Sequence, residues 1–324
     1  MPLRIVFCGT PAFAVPTLRH LIAQPDFQVV GVVTQPDRPR GRGHETASSA
    51  VKNAAIEAHI AVFQPGKIKS DAAFDYFREI APDVVIIIAY GQIIPARLIE
   101  IPRLGWINLH ASLLPKYRGA APINWAIVNG ETRTGLTTML IDAGLDTGPI
   151  LLTHAADIGP DITAPQLTFL LAEWGAQLIA KTVRGLDGGT ITPTPQDNSQ
   201  ATFAPPLKKE DGRIDWSLDA RTIYNRIRGL QPWPGAFTSL LGKRCNIWGM
   251  PLFSEGLEEG LKSTFGTDPR TNGTIVALGS EVLVSCGNGT WLQLEFVQIE
   301  GRKRVTPREF ASGVRLTSGE RFGS

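Results

Sequence analysis

A chain of 324 residues is long enough for two domains, each with its own core. With 43% hydrophobic and 19% charged residues it has the composition of an ordinary folded protein, and no apolar run reaches the length that spans a bilayer. Lys and Arg number 32 against 30 Asp and Glu, so no global charge announces a nucleic-acid partner; residues 208–324 hold sixteen of those cations and thirteen of those anions.

Leu3–Cys8 reads as a strand, Gly9-Thr10-Pro11 as a turn and Phe13–Ala23 as a helix with apolar residues at 15, 18, 21 and 22. A strand over Gln28–Val33 follows, and strand, helix and strand at this spacing imply a right-handed parallel crossover. The turn lacks the second and third glycines of the dinucleotide fingerprint, so NAD is not expected. Thr34–Ser49 is polar, with Arg38, Arg40 and Arg42 interleaved among Pro and Gly. Such a run cannot pack; it is either a basic surface loop or an arm that grips phosphate through guanidinium forks. Helices are expected over Lys52–His59 and Asp71–Ile80, with a short strand at Ala61–Phe63 between them. The apolar run from Val84 to Ala89 fits a central parallel strand covered on both faces, and it delivers Tyr90, Gly91 and Gln92 to a crevice edge.

Gly105-Trp106-Ile107 leads into Asn108-Leu109-His110-Ala111-Ser112-Leu113-Leu114-Pro115. Strand side chains alternate, so Asn108 and His110 share a face while Leu109 turns to the core. An amide and an imidazole at the carboxyl end of a strand lie where open α/β sheets handle ligands. Both can donate a hydrogen bond to a developing oxyanion, and His110 can also move a proton. No Gly-x-Ser-x-Gly elbow accompanies them, so the pattern points to acyl transfer with a nucleophile supplied by a substrate.

Pro122 is placed to start a helix over Ile123–Val128. The strand Leu136–Ile141 runs into Asp142–Gly148, where Gly144 and Gly148 are expected to turn the chain sharply. Either Asp146 or Asp142 can supply the carboxylate that orients His110. Ile150–Ala155 reads as a returning strand, Thr163–Leu186 as a long amphipathic helix, and 188–207, rich in Gly, Thr and Pro, as a linker between a domain over 1–187 and one over 208–324. In the latter, a helix over Leu218–Gly229 precedes five strands: Phe237–Leu241, Arg244–Trp248, Gly273–Ala277, Glu281–Ser285 and Thr290–Gln298. Short strands with polar turns suggest a small antiparallel barrel of the OB kind. Arg302-Lys303-Arg304 is either its basic patch or a solvated turn. The cysteines, Cys8, Cys245 and Cys286, are odd in number and have no metal-ligand spacing, so neither a disulfide framework nor a metal site is expected. Strand-like residues begin almost directly after Met1, which leaves no room for a signal peptide; the inferred location is the cytoplasm.

In order and spacing, a set of segments resembles the methionyl-tRNA formyltransferase family: Phe7-Cys-Gly-Thr-Pro11, Thr34-Gln-Pro-Asp-Arg-Pro39 with Gly41-Arg-Gly43, Ala89-Tyr-Gly91, Ile107-Asn-Leu-His110, Ser112-Leu-Leu-Pro115, Arg118-Gly-Ala-Ala-Pro-Ile123, Gly144-Leu-Asp-Thr-Gly148, Arg213-Ile-Asp-Trp216 and Pro232-Trp-Pro234. The resemblance covers nearly the whole chain. It implies an α/β, Rossmann-like formyltransferase domain with a mostly parallel sheet, then an OB-like barrel that contributes to tRNA binding. It implies formyl transfer from 10-formyltetrahydrofolate to the α-amino group of methionyl initiator tRNA, by a monomer with no metal and no membrane partner. The family's catalytic residues fall on Asn108, His110 and Asp146. The resemblance associates folate with Ser112, Leu113, Leu114 and Pro115 and with the stretch holding Ala89, Tyr90, Gly91 and Ile94, and tRNA with the loop bearing Arg38, Arg40 and Arg42. His44 and Glu45 depart from the family, whose members often carry lysines directly after Gly-Arg-Gly. The rivals are formylation of a nucleotide sugar, hydrolysis of formyl-folate, and a non-enzymatic tRNA-binding module.

Overall fold

A computed structural model describes the chain except residues 41–44, 253–255, 257–259, 262, 264–270, 317–319 and 324. The chain divides into two compact units: Met1–Ile123 with Arg133–Ile158 and Gln166–Pro205, and Asn124–Thr132 with Gly159–Pro165 and Pro206–Ser324. Among the described residues no helix is long and apolar enough to cross a membrane.

The first unit is built on a seven-stranded sheet. Its strands are β1 (Leu3–Gly9), β2 (Phe27–Val33), β5 (Val62–Phe63), β6 (Val84–Ile88), β7 (Trp106–His110), β9 (Arg133–Leu140) and β10 (Ile150–Asp157), in the order β10-β9-β7-β6-β1-β2-β5. β1, β2, β5, β6 and β7 run parallel, and β9 and β10 close one edge antiparallel. Ile5–Cys8 and Val84–Ile86 are wholly buried, because helices cover both faces and leave no polar side to the central strands. The chain moves outward from β1 through β2 to β5, then returns to β6 on the other side of β1. That reversal opens a crevice beyond the carboxyl ends of the strands.

Local signals explain the helices. α1 (Val15–Ile22) carries Pro16 in its first turn, where a missing N–H costs nothing. Ser49 caps α2 (Ala50–Glu57) by accepting from the Lys52 amide, and Ser70 caps α3 (Asp71–Ile80) by accepting from the Ala73 amide. A single turn, α4 (Ala96–Ile99), precedes β7, and α5 (Pro122–Val128) begins at its proline. α6 spans Ala164–Asp187.

The remaining short strands correct two expectations. Thr34–Ser49 is not wholly irregular: β3 (Arg38–Arg40) and β4 (Glu45–Ala47) pair antiparallel, so Arg38 and Arg40 lie on one arm of a hairpin. Arg42 and His44 fall outside the described residues. The segment read as a linker belongs, as far as Pro205, to the first unit. There β11 (Phe203–Ala204) pairs parallel with β8 (Arg118–Gly119), and Ile150 bridges Thr194. Its prolines and glycines mark turns against a surface rather than a tether.

In the second unit α7 (Ala220–Gly229) is capped by Asp219, which accepts from the Thr222 amide. It accompanies an antiparallel sheet of β12 (Phe237–Leu240), β13 (Lys243–Pro251), β14 (Ile275–Leu278), β15 (Glu281–Ser285) and β16 (Trp291–Ile299), ordered β12-β13-β16-β15-β14. Along β13 buried residues alternate with partly exposed ones, the pattern of a sheet packed on one side. Trp216, Ile223, Ile227, Ile247, Val297 and Phe310 share the core. Among the described residues the order is open: β12 and β14 are its edges and do not pair, so a closed barrel is not seen. A helix over Pro307–Val314, absent from the sequence reading, follows a capping box of Thr306 and Glu309.

Candidate active site

Asn108 and His110 close β7, opposite Met139 and Thr137 of β9. His110 is 6% exposed. Its Nε2 lies 2.8 Å from the Tyr117 carbonyl oxygen. A carbonyl can only accept, so this nitrogen carries the hydrogen and donates it. Its Nδ1 faces the Asp146 carboxylate, 3.6 Å from Oδ2. The Asn108 amide Nδ2 is 3.5 Å from Oδ1 of the same carboxylate. The structure thus brings Asn108, His110 and Asp146 together. Asp142 stands apart in role: its Oδ1 accepts from the Gly144 amide at 3.0 Å and the Thr147 hydroxyl at 2.7 Å, pinning its own loop.

Asp146 is held by backbone. The Gly119 N–H donates to Oδ2 at 2.8 Å. Gly119 has φ +119, and a Cβ there would lie 2.7 Å from the Ala204 carbonyl oxygen, so only glycine lets β8 and β11 approach this closely. Gly144 and Gly148 are sterically required in this loop, though neither takes a positive φ. Asp146 itself takes φ +54, whereas Gly148 is needed because a Cβ would strike the Leu140 carbonyl. Asp is among the few non-glycine residues that adopt this region readily.

A further layer was missed by sequence reasoning. Gln196 donates from Nε2 to the carbonyls of Asp146 at 2.9 Å and Gly148 at 2.7 Å. Its Oε1 accepts from Arg118, which also donates to Asn198 at 2.8 Å. Thr202 accepts from the Tyr117 amide at 2.8 Å and thereby supports the residue whose carbonyl orients His110. Gln196, Asn198 and Thr202 lie in the stretch read as linker, where polar side chains among prolines offered no periodic signal.

The stretches associated with folate are placed less uniformly. Ser112 is wholly buried and donates to the Lys116 carbonyl at 2.6 Å, while Tyr90, Ile94 and Leu114 are 2%, 5% and 6% exposed. Their side chains serve the core, leaving backbone to face a ligand. Ala89, Gly91 and Ile93 are exposed, Leu113 and Pro115 partly so. Two side chains fix this loop: Gln35 Nε2 donates to the Tyr90 carbonyl at 3.0 Å, and the Thr10 hydroxyl does so at 3.4 Å. Thr137 ties down the other loop, donating to the Ser112 carbonyl at 2.7 Å and accepting from the Leu114 amide at 3.1 Å. Burial pushes the Tyr90 hydroxyl above the ordinary phenol range. The side chains of Arg38 and Arg40 are outside the described atoms.

Residues 3–183 match the formyl transferase family and residues 206–315 the formyl transferase C-terminal domain. The chain is 50% identical over 321 residues to a methionyl-tRNA formyltransferase of Solibacter usitatus, covering 99% of both chains. It is 46% identical over 322 residues to one of Geobacter sulfurreducens, covering 99% of this chain and 97% of the relative. The chain belongs to the methionyl-tRNA formyltransferase family. A sugar 3N-formyl transferase crystallised in the presence of dTDP and 5-N-formyl-THF shares the fold more distantly, with TM-score 0.66, 19% identity, 94% of this chain covered and 100% of that one. An N-formyltransferase of Helicobacter canadensis has TM-score 0.61 at 18% identity, covering 91% of this chain and 99% of the other.

Proposed function

We propose that the chain transfers the formyl group of 10-formyltetrahydrofolate to the α-amino group of methionyl initiator tRNA, giving N-formylmethionyl-tRNA for translation initiation. The observation that carries this reading is the convergence of Asn108, His110 and Asp146 at the end of β7. An α-amino group has a pKa of about 7.7 to 8.0, so at neutral pH an appreciable fraction is already free base. The attacking amine therefore needs no strong base. The harder task is the negative charge that forms on the formyl oxygen, and losing one preorganised donor to such a charge costs about 10² to 10³ in rate.

We assign that donation chiefly to Asn108. His110 has Nε2 committed to Tyr117, so its free function is at Nδ1. As nitrogen adds to the formyl carbon, its proton passes to the His110–Asp146 pair at Nδ1. The carbon–nitrogen bond to the folate then breaks, and the folate nitrogen regains a proton. Asp146 holds the ring and balances its positive charge while Nδ1 carries the proton. This revises the simpler expectation that both Asn108 and His110 donate directly to the oxyanion.

For folate we assign the backbone of Ala89–Ile94 and Ser112–Pro115. One feature of the residues present fits a flat heterocycle: Ile93 leaves an apolar side chain 86% exposed on the first of these loops. For tRNA we assign Arg38 and Arg40 of β3 together with Arg42, and the second unit, whose antiparallel sheet supports an OB-like shape. A monomer working in the cytoplasm, without a metal or membrane partner, completes the proposal. The experiment offers 10-formyltetrahydrofolate with methionyl initiator tRNA, elongator methionyl-tRNA or an amino-sugar nucleotide. Formylation of the initiator species alone is expected; preferential formylation of the sugar would overturn it.

A further inference from the structure

Three loops at the carboxyl ends of the parallel strands are tied into a ring by three glutamine side chains. Gln35 follows β2, Gln64 follows β5 and Gln92 follows β6. Gln35 Nε2 donates to the Tyr90 carbonyl at 3.0 Å, so the loop after β2 holds the loop after β6. Gln92 of that second loop accepts from the Ile68 amide at 2.7 Å, which ties it to the loop after β5. Gln64, at the head of the β5 loop, donates at 2.9 Å to the Gln35 carbonyl and at 2.9 Å to Oδ1 of Asp37, which closes the ring. Carbonyls and carboxylates only accept and a backbone N–H only donates, so each of the three amides has one workable orientation.

The ring joins two places assigned above to different ligands. The β6 loop is Ala89–Ile94, with φ +48 at Ala89 and +87 at Gly91 on either side of Tyr90. A left-handed alanine costs energy and persists where its surroundings over-determine it. Gln35 grips the carbonyl between these two residues, and the Thr10 hydroxyl reaches the same oxygen only at 3.4 Å. The β2 loop runs directly into β3. Asp37, the residue before Arg38, is locked by Lys52 as well as by Gln64. Each loop is thus bonded to both of the others, where stability alone would need one tether to any neighbour.

We propose that Gln35 is a positioning residue that couples the two substrates: ordering the β2 loop on tRNA sets the Tyr90 backbone for the folate, and folate in turn orders the loop for tRNA. The two ligands then bind with positive cooperativity, because the first to arrive meets the ordering cost for both. The inference rests on the assignment of folate to Ala89–Ile94 and of tRNA to β3. Its test is calorimetric titration of 10-formyltetrahydrofolate with and without saturating deacylated initiator tRNA, which carries no amino acid to accept the formyl group. In the wild type the folate Kd is expected to fall about fivefold or more when tRNA is present, and the tRNA Kd to fall by the same factor when folate is present. Gln35→Met keeps the length of the side chain and removes its donor. It is expected to weaken folate alone by about twofold to tenfold, to leave the affinity for tRNA alone in place, and to bring the coupling factor close to one. Gln64→Met, which cuts the ring elsewhere, is expected to lower the factor too. A purely structural role would shift the urea midpoint or weaken both ligands and keep the factor. A folded Gln35→Met protein with the wild-type factor overturns the coupling, and if that variant does not fold, Gln64→Met decides in the same way. A wild type that formylates methionyl-tRNA but shows a factor of one overturns the coupling alone, whereas one that binds no tRNA overturns the activity proposed above as well.

Discussion

At His110 the Tyr117 carbonyl takes the Nε2 hydrogen and leaves Nδ1 to face Asp146 across 3.6 Å. Two backbone features create this division. Tyr117 has φ +59, a conformation that costs a non-glycine residue energy unless its surroundings hold it, and Thr202 bonds its amide. Gly119 then turns its N–H onto the carboxylate of Asp146. In the mechanism proposed above, removing the imidazole takes away the proton acceptor. Positioned general acid–base groups contribute about 10² to 10⁴ in rate, so His110→Ala should lower kcat by at least about tenfold, with the folate Kd unmoved in equilibrium titration. An unchanged kcat would remove His110 from the chemistry.

Among elements, those defined by periodicity were legible and those defined by distant partners were not. The run Val84–Ile88 declares a doubly covered strand because every residue is apolar, and Asp71–Ile80 declares a helix because its apolar positions recur on one face behind a serine cap. The same alternation on β7 put Asn108 and His110 on one face before any contact was known. Gln196, by contrast, acts through the carbonyls of Asp146 and Gly148, some fifty positions away in the chain, and its neighbours carry no pattern. The two short strands β8 and β11 escaped for the same reason: two residues cannot display an alternation. The cap of α7 allows a direct check on the second unit. Asp219 accepts from the Thr222 amide at 3.0 Å and from its hydroxyl at 2.7 Å, and Ile223 and Ile227 of that helix enter the core. Asp219→Ala should cost about 1 kcal/mol, read as a lower urea midpoint at unchanged m. An unaltered midpoint would mean that core packing alone sets the helix start.

Over the whole molecule, titratable groups fence stability from both sides. On the acid side, Arg184 hydrogen-bonded to Asp26 holds that carboxyl below its usual range, and Ser217 does the same for Asp215. Such stability is present above the unfolded carboxylate value of about 3.9 and is lost as pH falls through the lower folded values. On the alkaline side the fence is thiol. Cys8, Cys245 and Cys286 are free and buried, and burial raises all three, Cys245 to about 11. The unfolded chain releases these protons from about pH 8.5 upward, while the folded chain keeps them. The unfolded state then binds fewer protons than the native one, so stability falls as pH rises, by about 1.4 kcal/mol per pH unit for each thiol, until the folded value is passed. Cys245→Ala should therefore reduce the slope of unfolding free energy against pH between about pH 9 and 11, whatever its offset at neutrality. Urea titrations across that range read the slope directly, and a slope equal to that of the wild type would show that Cys245 ionises as readily inside the fold as outside it.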